Sequence, residues 1–145
     1  MDTPQASEPR IGLITGASSG IGLGMTQTLL EHGYRVVANS RNITKAGTLT
    51  ASGNLILVDG DIADKAVATK VVDTALEKFG RLDLLVNNAG IFVPKPFTEY
   101  TPENFNRVLS TNVAGFFYVS QSAIAQMRKQ KSGHVVSITT TLVDH

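Results

Sequence analysis

Apolar residues in this chain come in short, regularly spaced runs. Ile11-Gly12-Leu13-Ile14 is followed by Arg35-Val36-Val37-Ala38, by 55–58, by Leu82-Asp83-Leu84-Leu85-Val86 and by Val135-Val136-Ser137-Ile138. Aliphatic, β-branched runs of this length read as strands of a parallel sheet, buried on both faces. Between them the period changes. Ile21, Met25 and Leu29 lie four apart, as do Val67, Val71, Ala75 and Phe79. Phe105, Leu109, Val113 and Phe116/Phe117 repeat the pattern. Each set forms one face of a helix. The pattern predicts strands over 10–14, 34–39, 55–58, 82–86 and 135–138. It predicts helices over 20–32, from Asp64 to Phe79, and from Thr101 to about Lys131, with a short helix within 42–53.

Local signals set the limits of these elements. Gly33 and Gly80 follow the first and third helical stretches as C-terminal stops. Asp64 is an N-cap, and Thr101-Pro102-Glu103 combines a capping hydroxyl, a proline at the first helical position and an acid at the positive end of the dipole. Gly47 and Ser52-Gly53 keep the second helix short. Pro94 and Pro96 mark 91–100 as a loop, and Ser132-Gly133 stops the last helix. Strand and helix alternate throughout, so the expected fold class is α/β: a Rossmann-like doubly wound parallel sheet with helices on both faces. Right-handed crossovers and a switch point beside the first strand give strand order 3-2-1-4-5. Residues 1–9 are polar with two prolines and read as a flexible tail; residues 10–145 read as one domain, cut short after the fifth strand.

Composition narrows the function classes. The chain has 145 residues, 42% of them hydrophobic, which is ample for one packed core. The net charge of +1 gives no reason to expect a nucleic-acid or membrane surface. Cysteine is absent, which excludes disulfides and thiolate metal sites and fits a cytoplasmic protein; no metal site is expected. No apolar run approaches the roughly 20 residues that span a bilayer. The N-terminus lacks the basic-then-apolar order of a signal peptide.

The chemistry centres on Thr15-Gly16-Ala17-Ser18-Ser19-Gly20-Ile21-Gly22, between the first strand and the first helix. There a parallel sheet places a nucleotide phosphate, against the unpaired N–H groups and positive dipole end of a helix. Glycines let the chain turn and let a phosphate come close. Gly16, Ser18, Ser19, Gly20, Ile21 and Gly22 are therefore candidate cofactor contacts, against the alternative of an ordinary tight turn. The second strand ends in Asn39-Ser40-Arg41. NAD-binding sheets carry an acid near this point for the ribose 2′-hydroxyl. Here Ser40 and Arg41 stand instead, and a guanidinium can grip a 2′-phosphate by two charge-assisted bonds. The alternative is a solvated loop arginine.

Thr-Gly-x-x-x-Gly-x-Gly resembles the cofactor turn of the short-chain dehydrogenases/reductases. Asn87-Asn88-Ala89-Gly90 and Asn112 match two further motifs of that family in order and rough spacing. The resemblance runs from about Arg10 to the end of the chain. It implies NADP(H) as preferred cofactor, with NAD(H) as second choice, and hydride transfer between nicotinamide and a small carbonyl or alcohol substrate. It implies that Asp61 and Ile62 hold the adenine ring, and that Asn88, Ala89 and Gly90 support the sheet and the cofactor ribose. It implies a proton relay through the main-chain carbonyl of Asn112, and a homo-oligomer, dimer or tetramer. The bland alternatives are a capping acid for Asp61 and a buried, hydrogen-bonded Asn112.

Two departures stand out. The family's serine that orients the substrate oxygen falls on Thr140, with Thr139 and Thr141 as neighbouring registers. The family's Tyr-x-x-x-Lys pair has no match: none of Tyr34, Tyr100 and Tyr118 has a Lys four residues later. The expectation is a fragment of a longer reductase. The competing expectation is a non-catalytic NADP(H)-binding regulatory or sensor module. Asp144 and His145 are adjacent terminal residues without set geometry, and His32 reads as a helix C-terminal residue.

Overall fold

Strands β1 (Ile11–Thr15), β2 (Arg35–Ser40), β3 (Leu55–Asp59), β4 (Leu84–Asn87) and β5 (His134–Ser137) form the sheet in a computed structural model that describes residues 7–140. Their order is β3-β2-β1-β4-β5, and every pairing is parallel. The helices are α1 (Gly20–Glu31), α2 (Ile43–Ala46), α3 (Lys65–Phe79), α4 (Pro102–Leu109) and α5 (Phe116–Gln130).

Alternation along each strand divides the core in two. Leu13, Val37 and Leu85 pack with Val71 and Ala75 of α3 and Val119 and Ala123 of α5. Ile14, Val36, Ala38 and Val86 face the other way, toward Met25 and Leu29 of α1 and Ile43 of α2. Helices thus cover both faces, as the doubly wound pattern requires. β5 lies at the sheet edge, and all four of its residues are exposed.

The caps behave as their residue types dictate. Asp64 accepts from the Ala66 N–H. Thr101 and Asn104 form a reciprocal capping box with Pro102 at the helix start. Gly33 and Gly80 both take positive φ, +81° and +82°. His32 Nδ1 lies 2.8 Å from the Thr28 carbonyl at the end of α1.

Three elements differ from the expectation. The buried face of α1 runs through Gly22 and Thr26, and Ile21 is 59% exposed. Met25 and Leu29 pack on the core as the apolar spacing predicts, and only Ile21 at the start of the stripe falls outside it. β4 begins at Leu84 rather than Leu82. The backbone of Leu82 pairs instead with the Gln130 side chain, N–H to Oε1 at 3.0 Å and Nε2 to carbonyl at 2.8 Å. The helix from Thr101 runs without a gap to Gln130 but is not α-helical throughout. A π-helical stretch, Ser110–Gly115, separates α4 from α5. It lies where Gly115 presses on Ile62: a Cβ at Gly115 would lie 2.9 Å from the Ile62 side chain. The apolar stripe of this region is left uncovered, with Phe105, Leu109, Val113, Phe116 and Phe117 all exposed.

Candidate functional site

The sheet order reverses beside β1, with β2 on one side and β4 on the other. Such switch points open a crevice at the carboxyl ends of the strands. A cleft of about 590 Å³ lies there, within the range of small-molecule and cofactor sites.

Its floor is tied together from both sides of the switch. Thr15, fully buried at the end of β1, accepts at its hydroxyl from the N–H groups of Asn88 (3.1 Å) and Ala89 (3.0 Å). The Asn88 Nδ2 donates to the carbonyls of Thr15 (3.3 Å) and Gly16 (3.1 Å). The Ala17 N–H donates to the Asn39 carbonyl at 3.0 Å, which fixes the turn to β2 as well. Gly16 has φ +64°, and a Cβ there would meet the Ala89 backbone at 2.8 Å. A Cβ at Gly22 would lie 2.2 Å from the Gly16 carbonyl oxygen. No side chain larger than hydrogen fits either position without displacing backbone. α1 therefore starts hard against the strand ends. Its cap residue Ser19 makes no side-chain cap bond, and no acid lies in the first turn. The positive end of the helix is left for an anion.

The far wall comes from the ends of β2 and β3. Asn39, 1% exposed, donates from Nδ2 to the carbonyls of Val58 (2.9 Å) and Gly60 (3.1 Å). This holds the two strand ends together below Ser40 and Arg41. Asp61 accepts at Oδ1 from the Ala63 N–H at 2.9 Å, the local turn its bland reading requires, and it also lines the cleft. It is the one carboxylate among the described lining residues. Ile62 reaches the cleft but is only 4% exposed and belongs mostly to the core.

The cleft brings together Gly16, Ser18, Ser19, Ser40, Arg41, Asp61, Ile62, Asn88, Ala89 and Gly90, all of them candidates from the sequence. Gly20, Ile21 and Gly22 do not line it; Gly22 acts by close packing. Asn112 lies in the π-helical stretch and is exposed rather than buried. Its side chain bridges to Ile91 in both directions, Nδ2 to carbonyl at 2.9 Å and N–H to Oδ1 at 2.8 Å. Thr140 is exposed beyond the end of β5 and outside the cleft lining. Thr141, Asp144 and His145 lie outside the described residues, as does most of the 1–9 segment.

Residues the sequence reading did not single out also line the cleft, notably Asn39, Lys45 and Thr111. A buried polar residue closing an apolar strand was the available signal for Asn39. Lys45 stands four residues after Arg41, but only the turn of α2 brings it to the same wall. Among the described residues no helix is long and apolar enough to cross a membrane.

The family model for short chain dehydrogenase matches residues 10–143. A Streptomyces violaceoruber protein, provisionally named ketoacyl reductase 2 of the granaticin polyketide synthase, is 38% identical over 140 residues, covering 93% of this chain and 56% of its own. The chain spans about half the length of the curated relatives it matches. A short-chain dehydrogenase from Streptomyces avermitilis superposes with TM-score 0.86 at 28% identity, over 93% of this chain and 50% of that one. A 3-ketoacyl-(acyl-carrier-protein) reductase from Brucella melitensis, complexed with NADH, gives TM-score 0.84 at 32% identity, over 92% and 58%. ElxO with NADP bound gives 0.83 at 30%, over 91% and 56%.

Proposed function

Because the chain belongs to the short-chain dehydrogenase family, we propose that its cleft binds a nicotinamide dinucleotide, NADP(H) in preference to NAD(H), for an oxidoreductase acting on a small carbonyl or alcohol. The observation that carries the reading is the Gly16–Gly22–Asn88 knot beneath an uncapped helix end, facing a wall that holds Arg41 and no competing acid at the end of β2. Those residues fit the group: the glycines leave room for a pyrophosphate, and Ser18 and Ser19 add hydroxyl donors. Ser40 and Arg41 would hold the 2′-phosphate by charge-assisted bonds. Asp61 would accept from the adenine amine, and the exposed edge of Ile62 would touch the ring. Asn88, Ala89 and Gly90 would line the ribose nearest the nicotinamide. NADH and NADP bound to two structural relatives support the class of cofactor.

Bound nicotinamide supplies the hydride chemistry; the protein supplies binding and orientation. In that division Asn112 holds the Ile91 backbone with its side chain, and its main-chain carbonyl is the candidate relay group. Thr140 would donate a hydrogen bond to the substrate oxygen. The exposed stripe from Phe105 to Phe117 would be covered in a homo-oligomer, a dimer or tetramer.

Titration with NADPH and with NADH, followed by nicotinamide fluorescence, tests the reading. NADPH should bind about tenfold tighter or more, the effect of one charge-assisted phosphate clamp, and Arg41→Ala should erase the difference. Equal binding of the two contradicts the NADP(H) preference. Binding of neither contradicts the cofactor reading itself.

A further inference from the structure

The 41–48 segment is held more firmly than its short helix explains. Ile43 is fully buried beneath it. The Asp59 carboxylate, paired in register with Ser40 at the end of β3, takes the Thr44 N–H at 3.0 Å and the Thr44 hydroxyl on its other oxygen. Further on, the Thr48 hydroxyl donates to the Ser18 carbonyl at 2.9 Å, which ties the segment to the glycine turn. Lys45 lies between these ties and lines the same cleft as Arg41 and Ser18. Among the described residues it forms no salt bridge; its charge acts on Asp59 only weakly, and that carboxylate is hydrogen-bonded to Thr44.

We propose that Lys45 is a second cation for the 2′-phosphate of the dinucleotide, acting with Arg41, and that the Asp59–Thr44 contact is the positioning device that sets it on the cleft wall. The inference rests on the NADP(H) reading above and adds the residue that would complete its specificity. The charge argument is direct. A phosphate monoester carries close to two negative charges at neutral pH. One guanidinium balances about half of that, and a compact ammonium complements its planar fork as a point charge. The Thr44 hydroxyl, then its N–H, holds the Asp59 carboxyl below the usual aspartate range, so the device stays charged through the neutral region.

The probes are 2′,5′-ADP and 5′-AMP, which differ only by the 2′-phosphate, with calorimetric titration of the whole 145-residue chain. Lys45→Ala should weaken 2′,5′-ADP by about five- to tenfold and leave 5′-AMP within about twofold, the signature of one lost phosphate contact. Arg41→Ala should do the same or more, and the double variant should bind the two probes equally. Thr44→Val should lower the 2′,5′-ADP to 5′-AMP preference by about two- to threefold, and Thr44→Ser should restore it. All of these side chains are exposed, so the fold should persist. If Arg41→Ala lowers the preference while Lys45→Ala does not, the inference fails and the NADP(H) reading stands. If Lys45→Ala weakens both probes alike, Lys45 does not read the 2′-phosphate and the inference fails. If neither Arg41→Ala nor Lys45→Ala changes the preference, or the unaltered chain binds neither probe, the reading beneath the inference fails with it.

Discussion

On the β1–β2 side of the sheet, backbone, side chain and helix lock together. Thr15 and Gly16 are held by Asn88, just past β4, Gly22 packs against Gly16, and Asn39 ties β2 to β3. On the β4–β5 side, β5 is an exposed edge, and five apolar residues between Phe105 and Phe117 face outward. Thr140 is exposed beyond that edge, and Asn112 holds a loop rather than a strand. The difference separates two tasks. The side proposed to hold the dinucleotide is tied together by contacts among the described residues. The side on which Thr140 and Asn112 would act leaves apolar surface for something else to cover. On the proposed reading, the cofactor-binding region is the more fully preorganised of the two.

The contrast is sharpest in the core. Leu13→Ala, at a fully buried β1 position between α3 and α5, should cost about 3–4 kcal/mol through lost burial and a cavity. Val136→Ala on β5, 40% exposed, should cost about 0.5–1 kcal/mol. Denaturant midpoints of the two variants check this. Similar costs would break the division between the two sides.

The floor of the cleft comes next. Asn88→Ala removes donors to the Thr15 and Gly16 carbonyls and should cost about 1–2 kcal/mol, with cofactor affinity falling as the glycine turn loosens. Asn112→Ala removes two exposed bonds to Ile91 and should cost about 1 kcal/mol or less, with little change in dinucleotide affinity. Thermal unfolding and nucleotide titration of both variants separate them. Weaker cofactor binding in Asn112→Ala than in Asn88→Ala would reverse the assignment.

How far the chain could be read in advance follows from the same residues. The strands were legible because Leu13, Val37 and Leu85 lie in apolar runs that burial on both faces demands. The glycine turn was legible because its residues are contiguous. The α1 stripe was legible at Met25 and Leu29 but not at its start, where the close contact is made by Gly22, which has no side chain to signal it, and Ile21 is exposed. The π-helical stretch was not legible, and the contacts its residues make are with distant parts of the chain. Asn112 meets Ile91 and Gly115 meets Ile62, and neither pair leaves a local pattern. The role proposed for Lys45 was not legible either, since the Thr44–Asp59 contact it rests on joins α2 to the end of another strand.

The smallest effect is one of pH. The Thr44 hydroxyl and N–H hold the Asp59 carboxyl below its ordinary range. A depressed carboxyl favours the folded contact above its unfolded value, and that contribution is lost as pH falls through the lowered folded value. Asp59 is exposed, so global stability should scarcely change, while the carboxyl titration followed by NMR should have a low midpoint. Thr44→Val should raise that midpoint toward the ordinary aspartate value. An unchanged midpoint would show that Thr44 does not hold Asp59.

The most direct test of the central claim is an amide NMR map of the chain on adding NADPH. The account predicts shifts concentrated at Ser18–Gly22, Ser40–Arg41, Asp61 and Asn88–Gly90, with β5 and the Phe105–Phe117 stripe largely unmoved. Shifts centred on that stripe, or none at the glycine turn, would contradict the assignment of this cleft as the dinucleotide site.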